Sequence, residues 1–330
     1  FILDSLMAGE TRRYRIRSIE GNERLADERV SVIDDEGSVS ISESGQPVLT
    51  YHYEKTPLPR PDIPPIFQRG GYIHPVYTPN GLMLTDDYPP NHLHHHGIWA
   101  AWTRTVFEGR TPDFWNMGDS TGFVEPVGLE ETWSGPVRGG LRVSNQYVDL
   151  TGGEPKVALD EVWEVNVYPM VSADRPVRVF DIEIVQYCHF ASPLVLPEYH
   201  YGGVGFRGHR DWNGADNAVF LTSEGLDRSN GHATRARWCH IGGLVDGQMV
   251  GIAVLDHPQN FRSPQPMRIH PDEPFFNYAP SQMGDWAIDP GQPYNVRYRF
   301  LTYDGEPDPD LIDRFWYDYA FPVVVRVSEP

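Results

Sequence analysis

Apolar and polar residues alternate with a period of two along much of this chain. In Val177–Cys188 the residues Phe180, Ile182 and Ile184 fall on one side, with Asp181 and Glu183 on the other. Trp163, Val165 and Val167 alternate with Glu164 and Asn166, and Tyr294, Val296, Tyr298 and Phe300 alternate with Asn295, Arg297 and Arg299. Such patterning, bounded by Gly, Pro, Asn and Asp, predicts half-buried strands. One segment reads as helix instead. Asp308 can cap it and Pro309 suits its first turn, while Leu311, Ile312, Phe315, Trp316 and Tyr319 form a stripe at helical spacing suited to covering a sheet.

Many strands and one short C-terminal helix predict an all-β chain, a large antiparallel β-sandwich. The expectation is one domain over 1–330, with a smaller N-terminal strand block at 1–54 as the variant. The proline-rich stretch 55–65 is the best candidate for a loop after that block. No short repeat or low-complexity tract is visible.

Composition narrows the function classes. The chain has 330 residues and a formal net charge of −19, and it carries no Lys/Arg block. Without a face that releases counterions, nucleic acid is not an expected partner. The only lysines, Lys55 and Lys156, sit in Pro/Gly-rich contexts, which argues against Schiff-base chemistry. No run approaches the ~18 apolar residues of a membrane span; the densest stretch, 320–327, is short and contains Pro322 and Arg326. Two cysteines, Cys188 and Cys239, make no disulfide framework and read as buried thiols, which favours a reducing compartment and hence the cytoplasm. The first residues, Phe1-Ile2-Leu3-Asp4, show neither an initiator Met nor an export pattern. A homo-oligomer is compatible with the composition.

Three polar clusters could carry chemistry. The first is Asn91-His92-Leu93-His94-His95-His96-Gly97-Ile98-Trp99. If extended, it places His92, His94 and His96 on one face, where three imidazoles could hold a metal such as zinc, bind a sugar or an anion, or relay protons. The alternative is a polar strand end with histidines bonded to backbone or water. No cofactor is required by the sequence, and a divalent metal is the one it would accommodate. The second cluster, Leu196-Pro197-Glu198-Tyr199-His200-Tyr201-Gly202-Gly203, could bring a carboxylate and an imidazole together, with Arg207 and Arg210 downstream to hold oxygens. The third, Asp256-His257-Pro258-Gln259-Asn260-Phe261-Arg262, is either a strand-end site or a turn closed by Asp and Asn side chains. Trp99, Trp102, Trp115, Trp133 and Tyr201 lie near these clusters and serve either sugar stacking or core packing. No Gly-x-Ser-x-Gly, phosphate loop or dinucleotide fingerprint is present.

Together these pieces resemble a bacterial domain family labelled "methane oxygenase PmoA". The resemblance rests on His92-Leu93-His94-His95-His96-Gly97-Ile98-Trp99, Asp113-Phe114-Trp115, Gly202-Gly203-Val204-Gly205-Phe206-Arg207, Asp256-His257-Pro258-Gln259-Asn260-Phe261-Arg262-Ser263-Pro264 and Tyr298-Arg299-Phe300, in order over roughly residues 70–320. Two positions depart from it: His96 stands where Arg is usual, and Met267 where Trp is. A membrane methane monooxygenase subunit needs several spans, so the label reads as a misannotation. The resemblance instead implies sugar catabolism, and the all-β pattern is similar to the supersandwich of aldose epimerases and polysaccharide lyases.

The expectation is a carbohydrate-active enzyme cleaving a sugar or keto-sugar glycoside, as a lyase or hydrolase. Its base would be Glu198 or His94 and its acid His95 or His257, with Arg207 and Arg262 holding developing negative charge. Ordinary hydrolysis would use Glu198 with Asp256. His92, Trp115, His200, Tyr201, Asp256 and Asn260 complete the expected binding residues, and the ligand is a small sugar or glycoside. Two alternatives remain open: a metal-dependent sugar-modifying enzyme at His92, His94 and His96, and a non-catalytic sugar-binding protein.

Overall fold

A computed structural model of the chain describes residues 29–171 and 175–324, together with Thr11 and Arg13. The first 28 positions of the expected N-terminal block, those two residues apart, lie outside the described residues, as do 325–327 of the apolar C-terminal stretch. The strands are, in chain order, β1 (Val30–Asp35), β2 (Ser38–Glu43), β3 (Gln46–His52), β4 (Tyr72–Val76), β5 (Ile98–Ala101), β6 (Val106–Phe107) and β7 (Gly122–Trp133). They continue with β8 (Gly139–Asp149), β9 (Lys156–Val171), β10 (Val177–Cys188), β11 (Leu194–Leu196), β12 (Gly203–Arg207) and β13 (Ala218–Thr222). The last six are β14 (Trp238–Val245), β15 (Gln248–Asp256), β16 (Met267–Ile269), β17 (Phe275–Tyr278), β18 (Trp286–Ile288) and β19 (Tyr294–Asp304), followed by the helix α1 (Pro309–Ala320).

Two eight-stranded antiparallel sheets form an all-β sandwich. The first has the order β1-β2-β3-β4-β5-β12-β17-β16, the second β13-β14-β15-β19-β10-β9-β8-β7, and β18-β11-β6 make a small third sheet. The strands at 30–52 are continuous with the first sheet, since Tyr51 pairs with Ile73 and His52 with Tyr72 beyond the 55–65 loop.

The period-two pattern explains the layering. Phe180 lies opposite Phe300 with rings stacked at 4.8 Å, facing inward, while the neighbouring pair Asp181 and Arg299 closes a salt bridge of 2.8 Å on the other face. Between the sheets, Tyr278 of β17 stacks on Tyr298 of β19 at 5.4 Å, and Tyr51 meets Trp163 at 5.7 Å. Helix α1 covers the outer face of the second sheet. Asp308 accepts from the Leu311 N–H at 3.0 Å, and Ile312, Trp316 and Ala320 are buried against Val179, Trp238, Leu255 and Leu301. Among the described residues no helix is long and apolar enough to cross a membrane. Among the described residues no α-helix packs on the outer face of the first sheet, and the polar chemistry collects there.

Candidate functional site: the histidine face of the first sheet

The face is set by register. Across β5, β12, β17 and β16, Trp99 lies opposite Gly205, Gly205 opposite Asn277, and Asn277 opposite Arg268. Side chains alternate along a strand. Because Tyr278 and its row point into the core, Trp99, Arg207, Phe275, Asn277 and Arg268 point away from the second sheet. Gly205 makes the face usable. A Cβ there would lie 2.8 Å from Trp115 and 3.1 Å from Trp99, so only glycine lets the two indoles pack together over the strand at 4.9 Å. Trp115, expected to meet a ligand, is buried in this stack.

The histidine run is not extended, which corrects the expectation that His92, His94 and His96 share a face. Pro89 and Pro90 precede it, and the backbone turns: His92 N–H donates to Pro89 O and His95 N–H to His92 O, both at 2.9 Å. Residues three apart therefore meet. The His92 and His95 rings stack at 4.6 Å, and His94 stands edge-on to His95 at 4.6 Å. His96 goes elsewhere, with Nδ1 2.6 Å from Asp87 Oδ1 and its ring against Tyr72 and Tyr88. The expected metal set is not formed. The donors that do lie together, within 4.8 Å of one another, belong to His92, His95 and Glu273.

Glu273 is the residue that sequence reasoning missed. The buried Arg207 gives Nη1 to Glu273 Oε2 at 2.6 Å and Nη2 to Asn213 Oδ1 at 2.6 Å, and it reaches His95 Nδ1 at 3.4 Å. The other carboxylate oxygen, Oε1, accepts from Asn91 Nδ2 at 2.7 Å and lies 2.9 Å from His92 Nδ1. Burial works to raise the Glu273 pKa, but the His92 ring and the Arg207 charge outweigh it and bring it down to about 2. Glu273 is thus a fixed anion. His94 makes no hydrogen bond among the described residues, and burial together with the neighbouring His92 and His96 lowers its pKa to about 3. His95 is pushed well down by burial, then by His94 and Arg207. Both stay neutral near pH 7. Nothing local marks Glu273: it sits between Pro271 and Pro274, 66 positions from its arginine.

The second cluster borders this face. Residues 197–202 are irregular, so Glu198 and His200 are not aligned by strand geometry. The Glu198 backbone N–H donates to Asp285 Oδ1 at 2.7 Å, and its exposed carboxylate has no partner among the described residues. Tyr201 packs edge-on to Trp115 at 5.5 Å and its hydroxyl accepts from Asn116 Nδ2 at 3.0 Å. Tyr199 packs on Tyr201 at 5.0 Å and on the exposed His200 at 4.3 Å, with the Arg104 guanidinium 5.6 Å from its ring centre. Beside them is a cleft of about 650 Å³ lined by Thr103, Arg104, Asp113, Asn116 and Tyr199 among others.

The third cluster is elsewhere and fully occupied. Asp256 accepts from Asn260 Nδ2 at 2.7 Å, Ser263 Oγ at 2.7 Å and Gln265 N–H at 3.0 Å. Burial outweighs these bonds and raises its pKa to about 6. Asn260 Oδ1 accepts from the Arg297 N–H, Arg262 donates to Pro280 O and Gly284 O, and the His257 ring packs against Tyr319 of α1 at 4.9 Å. The structure does not bring Asp256, His257, Asn260 or Arg262 to the histidine face. His257 packs on α1, while Arg262 holds the 280–285 segment, whose Asp285 also accepts from the Glu198 N–H.

Fold and site thus define an antiparallel β-sandwich with a largely buried histidine, arginine and carboxylate cluster on the outer face of its first sheet. The chain belongs to the Family of unknown function (DUF6807), whose profile matches residues 38–317. No curated protein matches it. Among solved structures, it is similar to the crystal structure of heparan sulfate lyase HepC from Pedobacter heparinus, at 8% identity and a TM-score of 0.37, over 82% of this chain and 34% of that one. The chain therefore spans about a third of that protein's length, and a likeness so distant carries no functional argument.

Proposed function

We propose that the chain is a carbohydrate-active enzyme that works at the histidine face by proton transfer on a sugar or keto-sugar glycoside. The observation that carries this reading is the run from Arg207 through Glu273 to His92. Arg207 fixes the carboxylate, Glu273 Oε1 lies 2.9 Å from His92 Nδ1 as a charge contact without hydrogen-bond alignment, and His92 Nε2 has no protein partner among the described residues. With Glu273 beside Nδ1, His92 has Nε2 as the ring nitrogen left to accept a proton from a ligand. Its side chain is 33% exposed, open enough to meet a ligand. On a keto-sugar, His92 would take the proton from the carbon beside the carbonyl. The electron pair enters the enolate, the β C–O bond breaks, and the same ring returns the proton to the leaving oxygen. Tyr199, Tyr201 and the adjoining cleft suit stacking and hydrogen bonding of sugar rings.

The test is release of the leaving group from a panel of aryl glycosides and their keto derivatives. His92→Gln should lower turnover by about 10²–10⁴-fold, the span of general base catalysis. If the wild-type chain binds these sugars and releases nothing, a non-catalytic sugar-binding protein replaces this reading.

A second reading is supported by the donor set of His92, His95 and Glu273. Two neutral imidazoles and a carboxylate suit a zinc-like ion. Arg207 works against it, since its charge already sits 2.6 Å from Glu273 and 3.4 Å from His95. Elemental analysis of untagged protein decides: metal-free, fully active protein rejects the metal.

A further inference from the structure

We propose that Arg268 is the receptor for an anionic substituent, a carboxylate or a sulfate, on the sugar bound at this face; the proposal rests on the sugar reading above and names its substrate class as acidic. Arginines in this chain follow one rule of pairing, and Arg268 departs from it. With 46 acidic residues against 27 basic ones, oxygen acceptors are in excess. Among the described residues, every other arginine that is not exposed gives a guanidinium nitrogen to a carboxylate or a carbonyl oxygen. Arg110, Arg207, Arg237, Arg297 and Arg299 meet carboxylates, and Arg69, Arg178, Arg228 and Arg262 meet carbonyls, with Arg60 and Arg175 following the same rule. Arg268 does not. Its one hydrogen bond is a long one, 3.5 Å, to a ring nitrogen of His232.

Arg268 is also half-buried, and its unpaired guanidinium nitrogens are not sealed from solvent, so a ligand's oxygens can reach them. Register puts it on the outward row with Asn277, Gly205 and Trp99, on the same face as Arg207 and Phe275. Tyr201, Glu273 and Tyr199 are its electrostatic neighbours. Arg104, which also meets no oxygen among the described residues, lies over the Tyr199 ring at 5.6 Å. A planar guanidinium matches carboxylate and sulfate oxygens in two parallel hydrogen bonds. A neutral sugar offers nothing of comparable strength.

The test is titration calorimetry with matched probes: methyl glucoside against methyl glucuronide, methyl galactoside against methyl galacturonide, and methyl glucoside 6-sulfate, on wild-type, Arg268→Gln and Arg268→Lys chains. The proposal expects an acidic probe to bind wild type at least about ten-fold tighter than its neutral partner. Arg268→Gln should erase that preference and Arg268→Lys keep part of it, with neutral-probe affinity and the far-ultraviolet dichroism unchanged. Whichever of the carboxylate and the sulfate shows the arginine-dependent gain identifies the anion. Equal binding of neutral and acidic probes by wild type overturns the proposal and leaves the sugar site standing. Equal loss of neutral and acidic binding in Arg268→Gln overturns it too, making Arg268 a shaping residue. If no probe binds wild type, this proposal and the sugar reading both fall.

Discussion

The histidine face and the Asp256 loop hold nearly the same residue types, yet they differ in what is left over. Around Asp256 each polar side chain is answered from within: three donors on the carboxylate, two carbonyls on Arg262, a backbone N–H on Asn260. On the histidine face Arg207 and Glu273 are just as tightly matched, but they serve as a base for groups that are not. His92 Nε2, His94 and Arg268 keep unspent hydrogen-bonding capacity among the described residues. Closed networks hold structure, and open ones await a ligand.

The sharpest way to break this contrast is to remove Asp256. Asp256→Ala strands three buried donors, each worth about 1–3 kcal/mol when left unmade, so a loss of about 3–5 kcal/mol of unfolding free energy is expected. Urea denaturation measures it. Affinity for a sugar probe, read on the folded fraction, should stay within two-fold. A variant of wild-type stability that has lost binding would reverse the roles assigned to the two regions.

The two carboxylates also answer pH with opposite signs. The folded pKa of Asp256 is raised to about 6 from 3.8, so the folded state holds its proton where the unfolded chain has released it. Its contribution to stability is full below pH 3.8 and falls as pH rises through 6. Glu273 is lowered to about 2 from 4.5, so its contribution is full above 4.5 and is lost as pH falls toward 2. Between pH 4 and 6 the stability difference between wild type and Asp256→Asn should shift against wild type as pH rises, and it should level off above about 6. A flat difference over that window would mean that Asp256 is already ionised at pH 4.

Glu273→Gln keeps the shape of the anchor and removes its charge. Arg207 then loses its anionic partner inside the protein, and His92 loses the negative charge beside Nδ1. A fall in turnover of about 10–100-fold is expected, smaller than that of His92→Gln, because the amide oxygen can still orient the ring. An unchanged rate, with the fold intact by dichroism, would remove the Glu273–His92 pair from the mechanism and leave His94 as the base.

Much of the scaffold was legible in the sequence. Phe180, Ile182 and Ile184 against Tyr298 and Phe300 show their inward face by alternation, and Asp308-Pro309 marks the start of α1. The site was legible as composition but not as shape. His92, His94, His95, Arg207 and Tyr201 stood out by type, whereas the turn imposed after Pro89-Pro90 replaces the two-residue period by a three-residue one and exchanges His96 for His95. Glu273 and Arg268 were silent because their meaning lies in partners: one has an arginine 66 positions away, the other has no oxygen at all. Asp256-His257 shows the converse. A dense polar string looks the same whether its bonds turn inward or outward, and only coordinates separate the two.

The smallest expected effect sharpens the contrast from the other side. Glu198 is the carboxylate that residue type alone would choose as a base, in a segment with His200 and two glycines. Its side chain is exposed and has no partner among the described residues, and its fixed point is the backbone N–H on Asp285, which a side-chain change leaves in place. A solvated carboxylate gains neither the desolvation nor the orientation that general base catalysis needs. Glu198→Gln should therefore change turnover by less than about two-fold and stability by less than about 0.5 kcal/mol. A hundred-fold loss at Glu198 would show that the 197–202 segment closes over the ligand and carries its carboxylate in. The His92–Glu273 run would then position the substrate while the chemistry belonged to the loop.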